Sequence, residues 1–550
     1  MTERTPVLGR LSFLARIPFV ARVALAAFVW FAIVGLRLPI DEDEGFYAVA
    51  AELVGHGHLP YRDFFYPQMP LGPFVLAPFA LLAARFVCLR LVTAAFAAGA
   101  AALVAHAVHR ETRSRMGSMV AVVFFVTHEL SWRWLPTLRP YALAEVCALA
   151  AFVIATPVAR LPTRRELVIA GALAALAPLA RLPCAPLVGL VGLAILLRGR
   201  DRLLARGICL FTVLIMGVNI ARHPTFMACA AIAVACAVAT VGKGGLASLG
   251  RAAWFGAGAA VCAAVVIAPF VLLAKQSFVF GVFEYHAATS QFVAWPRSRP
   301  LLVAALGGGS LSDLSAMGAQ NVLLLVANLV ALTLRRLELR IACVVGCTMV
   351  VVGSARHEPA IEHYVTPIVP YLAIGAGIVY GSIERVARGR LARQRIAAFG
   401  GALALFVMAT VGSFGRTWGE GKMGPWDFRF ARPRSTDETL SAIREIAAKH
   451  PGPVLSFWPG SGLGNATRIL PGYENQFGRM VADPRTLEER SLLHVASETQ
   501  LREAVIKREP SVVIVDRGTG PNRETFAQFT IEQGYTLARS VGATDVYVRP

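Results

Sequence analysis

The chain has 550 residues, of which 56% are hydrophobic and 16% charged, against about 25% charged in a soluble globular domain. Its formal net charge of +20 is not gathered into one patch; arginines recur in short loops at 109–115, 160–166, 198–206, 335–340 and 384–395. This distribution excludes a soluble enzyme and gives no nucleic-acid partner, and it matches the cytoplasmic basic loops of a polytopic membrane protein.

In chain order, apolar runs predict spans over 19–38, 86–108, 117–132, 138–158, 166–180, 183–198, 207–221, 224–242, 252–274, 317–334, 341–355, 364–383 and 396–415. Each is near the length needed to cross a ~30 Å hydrocarbon core, and about 11–13 transmembrane helices are expected on this periodicity. Arg4, Arg10, Arg16 and Arg22 precede or open the first run, which places the N-terminus in the cytoplasm. That run lacks a small-residue cleavage signature, so it reads as a retained helix. The loop 39–85, the turns near 133–139 and at Arg181, the loop 275–316, the stretch 356–364 and everything after 416 then fall outside. The nine cysteines all lie in or beside apolar segments, which indicates neither a disulfide framework nor a CxxC metal site.

Residues 1–415 therefore read as a membrane domain, 416–434 as a linker and 435–550 as a small α/β domain on the outer face. In the last, Ser435 and Glu438 form a capping-box pattern, 453–458 and 510–518 read as buried strands, and 484–507 and 522–533 read as helical. "PGSGLG" at 459–464 follows a strand as a phosphate loop would, but it lacks the dinucleotide-binding glycine fingerprint and a downstream acidic partner.

The outer loop carries the densest acidic cluster. Asp41, Glu42, Asp43 and Glu44 follow Pro39-Ile40, and apolar residues then fall at 46, 49, 50, 53 and 54. That stripe predicts a short amphipathic helix lying in the outer interface, its apolar side toward the acyl chains. Asp41 and Glu44 match a capping box and Glu42 is most simply solvated. Asp43 sits in the first turn with no capping duty, free to face a cavity.

"DEDEGFYAVAAEL" followed by "MPLGPF" resembles the first outer loop of the GT-C superfamily of polyprenyl-phosphate-sugar-dependent glycosyltransferases. The resemblance is to the branch holding lipid A aminoarabinose transferases and protein O-mannosyltransferases. The branch's Asp-Glu pair, tyrosine, later glutamate and Pro-Leu-Gly segment fall on Asp43-Glu44, Tyr47, Glu52 and Pro70-Leu71-Gly72. "HYVTPIVPYLAI" (363–374) resembles the Tyr-x-x-Pro-x-x-Pro pattern that opens a late helix in that branch. The resemblance implies a GT-C type α-helical membrane fold with a C-terminal outer domain and a catalytic aspartate at Asp43, and Asp43 and Glu44 are the expected catalytic residues. It also implies a polyprenyl-phosphate-linked sugar donor, with an envelope lipid, glycan or protein as acceptor. Two departures stand out. Gln68-Met69-Pro70 replaces a lysine-bearing segment, and Tyr141 then Glu145 open the fourth span where many members carry an acid.

Transfer of a sugar from a lipid phosphate needs a base for the acceptor hydroxyl and cations for the leaving phosphate. The outer face offers Arg62, Arg139, Arg181, Arg356, His357 and His363. Tyr47, Arg62, Gln68, Arg139, Tyr141, Arg356, His357, His363 and Tyr364 are the expected substrate contacts. Arg139 and Arg356 are expected to converge on the phosphate, with His363 as a secondary donor. Glu145 is either a functional intramembrane acid or a helix–helix hydrogen-bonding partner. No metal-ligand spacing is present, although the oxygen-rich opening stretch keeps a divalent cation among the candidates. A transporter or flippase of lipid-linked sugars and a non-catalytic envelope assembly protein remain the rival readings.

Overall fold

The computed structural model of the chain describes residues 18–82, 85–198, 245–292, 316–331, 362–386, 433–516, 523–542 and 544–550, with part of 394–411. The expected spans at 207–221, 224–242 and 341–355, and the expected site residues Arg356 and His357, lie outside the described residues.

The helices run α1 (Phe19–Arg37), α2 (Glu42–Gly55), α3 (Leu71–Ala80), α4 (Arg85–Thr112), α5 (Arg115–Thr127), α6 (Glu129–Trp134), α7 (Tyr141–Ala155), α8 (Arg164–Ala180), α9 (Ala185–Leu197), α10 (Gly245–Val279), α11 (Tyr285–Phe292), α12 (Ala316–Ala331) and α13 (Val369–Val386). Among the described residues, four stretches are long and apolar enough to cross a membrane: Phe19–Arg37, Arg85–Thr112, Leu246–Glu284 and His363–Arg385. Small residues let the helices approach closely, as apolar packing inside a membrane favours. A Cβ on Gly117 of α5 would stand 2.8 Å from the carbonyl of Gly377 in α13.

The expected span 117–132 stops at Thr127 because His128 turns to extended backbone. Its Nδ1 accepts from Leu130 N at 3.2 Å, and its Nε2 lies 3.0 Å from Asn321 Oδ1. Gln320 accepts from Glu129 N at 2.8 Å. Polar side chains of α12 thus satisfy the broken backbone, which a hydropathy pattern does not reveal.

After the bundle come α14 (Pro433–Lys449), α15 (Leu487–Leu493), α16 (Glu498–Ile506) and α17 (Arg523–Glu532), with β1 (Val454–Ser456), β2 (Val512–Asp516), β3 (Thr536–Val541) and β4 (Thr544–Val548). The sheet order is β1-β2-β4-β3, parallel between β1 and β2 and antiparallel elsewhere. The two expected strands are present, shortened, and a C-terminal hairpin of β3 and β4 completes the sheet. α14 opens at Pro433 rather than Ser435. Its Asp437 accepts from Phe86 N at 3.0 Å and Val87 N at 3.1 Å, capping α4 across the two parts of the chain.

The apolar stripe of α2 corrects one expectation. Phe46, Val49, Ala50 and Leu53 are all buried and share one core with Val454, Leu455, Trp458 and Leu463 of the C-terminal domain. The stripe faces protein rather than acyl chains, because the sheet and its loops lie over it. A period of 3.6 shows that a face is covered, not what covers it.

Candidate active site

The site forms where four helix ends meet. The N-terminal end of α2 supplies Asp41 at the N-cap, Asp43 in the first turn and Tyr47 in the second. The start of α7 supplies Arg139 and Tyr141, and the turn after α8 supplies Arg181. The short 3-10 segment Glu362–Ile368 ahead of α13 supplies His363 and Tyr364.

The predicted capping box is present. Asp41 Oδ1 accepts from Asp43 N at 3.1 Å, and Glu44 Oε1 accepts from Asp41 N at 2.8 Å. Glu44 is wholly buried and also holds Arg90 as an ion pair. Its Oε2 accepts from Arg90 Nε at 2.8 Å and from Leu138 N at 3.0 Å. Arg90 in turn donates to the carbonyls of Gly35, Leu38 and Pro39. Both Glu44 oxygens are therefore engaged in joining α2, α4 and the α6–α7 turn, so Glu44, expected beside Asp43 as a catalytic residue, is a structural one.

Asp43 is different. Its side chain keeps 21% exposure, and Arg139 Nη1 meets its Oδ2 at 2.7 Å. The same guanidinium meets Asp41 Oδ2 at 2.7 Å through Nε and 2.6 Å through Nη2. Arg139 thus bridges two carboxylates, with Trp134 under its face at 5.0 Å. Burial pushes the Asp43 carboxyl up to about 6, against the pull of Arg139 and with a push from Asp41. Burial would lower Arg139, but Asp41 and Asp43 hold it above its ordinary value.

Arg139 Nη1 also lies 3.1 Å from His363 Nε2. A guanidinium has no acceptor, so His363 accepts there and carries its proton on Nδ1. That Nδ1 is buried with no partner among the described residues. His363 packs between Trp134 at 5.0 Å and Tyr141 at 5.9 Å.

Arg181 is the second hub. Its Nη1 donates to the Tyr47 hydroxyl at 2.6 Å and to Gln68 Oε1 at 3.2 Å. Its guanidinium lies 4.6 Å above the Tyr141 ring and 5.8 Å from that of Tyr364, and its Nε is buried without a partner among the described residues. Gln68 is held by its own carbonyl, which accepts from the Tyr61 hydroxyl. An open cleft is lined by Gln68, Arg181, Pro183, Phe283, His286 and Tyr364, and burial pushes Tyr47 up to about 12.

The structure therefore brings together Asp43, Tyr47, Gln68, Arg139, Tyr141, His363 and Tyr364, with Glu44 as the buried support beside them. Arg62 is not part of this cluster; it is largely exposed and pairs with its neighbour Asp63 at 2.7 Å. Arg181 was one of six outer-face cations in the sequence and nothing there set it above Arg62. Its one local signal is a lone charge at the apolar turn "LARLPC" (179–184), where an unpartnered charge is costly. Glu145, one turn beyond Tyr141, is buried and has neither oxygen hydrogen-bonded among the described residues. Among the described residues no group of three His, Cys, Asp or Glu side chains is placed to hold a metal ion.

No family model matches the chain, and none of the curated proteins matches it in sequence. Solved structures do match. The crystal structure of ArnT from Cupriavidus metallidurans bound to undecaprenyl phosphate superposes with a TM-score of 0.61 at 13% identity, over 96% of this chain and 97% of that one. The apo form of the same protein gives 0.60 at 12% identity, over 99% and 98%. At that identity the likeness is one of fold alone.

Proposed function

We propose that this protein is an integral membrane glycosyltransferase that moves a sugar from a polyprenyl-phosphate carrier to a hydroxyl acceptor on the outer face. The observation that carries the reading is Asp43, a partly exposed carboxylate paired with Arg139, in the same cluster as Arg181 and its open cleft. The undecaprenyl phosphate in the ArnT crystal structure supports a lipid phosphate as the donor's leaving group.

In this reading Asp43 accepts the proton of the acceptor hydroxyl as its oxygen attacks the anomeric carbon of the donor sugar. The bond from that carbon to the phosphate oxygen breaks, and the phosphate leaves with the electron pair as the polyprenyl monoester. A phosphate is a stable anion and needs cations rather than a strong general acid. Arg139 is committed to two carboxylates, so Arg181 is the better seat for that anion, with Gln68 and the His363 Nδ1–H as neutral donors. A charge-assisted bond is roughly twice as strong as a neutral one, which gives Arg181 the larger share. Arg139 keeps Asp43 ionised, and Glu44 with Arg90 holds the turn that carries both acids.

The N-terminus is cytoplasmic and the C-terminal domain outside in this reading, with 1–415 as the transferase domain, 416–434 as linker and 435–550 as the outer domain. The acceptor is an envelope lipid, glycan or protein. Mass spectrometry of envelope lipids and glycans tests the proposal in cells with the wild-type protein, without it, and with Asp43→Asn. A sugar modification present with wild type and missing from both other samples is expected; identical profiles in all three would sink it.

A further inference from the structure

The C-terminal domain touches the catalytic helix at a telling place. Trp458 Nε1 donates to the main-chain carbonyl of Glu42 at 2.8 Å, and Gln476 Nε2 donates to the same carbonyl at 3.2 Å. That carbonyl precedes Asp43 directly in the chain. Both donors are buried, Trp458 to 3% exposure and Gln476 to 8%. A carbonyl in the first turn of a helix already has the N–H four residues on as its partner. Two further side-chain donors are not needed to satisfy it, and their effect is to fix where the turn lies.

The rest of the contact is built around the same indole. A Cβ on Gly45 would stand 2.5 Å from Trp458 Nε1 and 2.8 Å from Gly460 N, so the ring occupies the space glycine leaves. Phe86 stacks on it with centroids 6.0 Å apart and planes 15° from parallel. At the far end of α2, Gly464 N donates to Glu52 Oε2 at 2.6 Å. The loop that looked like a phosphate cradle grips α2 at both ends.

We infer that Trp458 and Gln476 are positioning residues of the transferase site, holding the first turn of α2 so that Asp43 keeps its contact with Arg139. The inference rests on the role of Asp43 as base. Misplacement of a reacting group by about 1 Å can cost roughly a hundredfold in rate. Arg139 and Arg181 draw the Asp43 carboxyl down, while burial, Asp41 and Glu44 push it up. Tyr47, Tyr285 and Tyr364 also feel its charge. A looser first turn weakens the Arg139 contact, so Asp43 holds its proton to higher pH.

The test uses the full-length protein in proteoliposomes with lipid extract from cells lacking it, and reads release of polyprenyl phosphate. Trp458→Phe keeps an aromatic ring against Phe86 and removes the indole N–H; Gln476→Leu removes the amide. The pair of substitutions is expected to lower kcat about tenfold or more, equal to ~1.4 kcal/mol, with the half-saturating amount of extract within about twofold of wild type. The acid limb of the rate–pH profile should move upward by at least about half a unit, as loss of an opposing charge predicts. Amide exchange at residues 43–46 should quicken in Trp458→Phe alone. Unchanged kcat, a lowered kcat with the acid limb in place, or unchanged exchange overturns the inference. Asp43→Asn is run alongside. Normal turnover there removes the base itself, whereas an inactive Asp43→Asn beside an unshifted double variant removes only the positioning role.

Discussion

Arg139 Nη1 lies 2.7 Å from Asp43 Oδ2, so the carboxylate with no capping duty is held by a cation from the turn ahead of α7. Asp41 shares that cation but spends its other oxygen on the cap. Neighbouring acids on one turn are thereby separated in role: one orders the helix end, and the other keeps a partly exposed carboxylate paired with Arg139.

Asp43→Asn is expected to abolish transfer while leaving the protein inserted and folded. Asp41→Asn should lower it by about tenfold at most, because asparagine caps nearly as well as aspartate and Asp43 still pairs with Arg139. Normal product from the Asp43 variant at equal expression contradicts the base assignment.

Asp43 is pushed up to about 6, chiefly by burial. A base works in its ionised form, so the rate should be near its plateau above that value and fall as pH drops through it. The acid limb should therefore bend near 6, and Arg139→Gln should move it upward. A limb near the ordinary aspartate value of about 4 excludes Asp43 as its origin.

The local half of this site is visible in the sequence. The capping box of Asp41 and Glu44 is set by residues three apart, and the exclusion of Asp43 from it follows from spacing alone. The long-range half is not. Asp41 and Arg139 are 98 positions apart, and hydropathy cannot report which arginine turns inward. Arg62 and Arg181 both read as outer-face cations, and packing separates them: Arg62 closes on its neighbour Asp63, whereas Arg181 is enclosed by Tyr47, Gln68 and Tyr141. The apolar stripe of α2 was legible as a buried face, but its cover comes from residues more than 400 positions away.

Glu44 and Arg90 form a buried pair whose other hydrogen bonds are also made. Arg90→Met leaves the carboxylate uncompensated and should destabilise the protein by about 3–5 kcal/mol. Adding Glu44→Gln to that variant should recover part of the loss. Thermal unfolding in detergent measures both, and equal midpoints for wild type and Arg90→Met refute the structural role.

Cysteines at Arg115 and Lys449, both exposed, test the threading in a background with the native cysteines replaced. If basic loops stay cytoplasmic, a membrane-impermeant thiol reagent on intact cells should label position 449 and spare 115. Labelling at 115 alone, or at both, reverses the orientation and moves the site off the outer face.

Arg181 carries the sharpest expectation for the leaving group. It is the guanidinium on the cleft wall with a spare buried donor, Nε, and it is not bound to a carboxylate among its described partners. Arg181→Gln should lower turnover at least about tenfold, or ~1.4 kcal/mol of transition-state stabilisation. Arg181→Lys should recover only part of that, since a point charge cannot donate to Tyr47 and Gln68 while lying flat on the Tyr141 ring. The acid limb of the rate–pH profile should move upward by less than in Arg139→Gln, because Arg139 is the larger of the two cations that lower Asp43 and its contact is untouched. Turnover within about twofold of wild type for Arg181→Gln places the phosphate elsewhere, and a displaced limb with normal kcat shows that Arg181 tunes Asp43 rather than the leaving group.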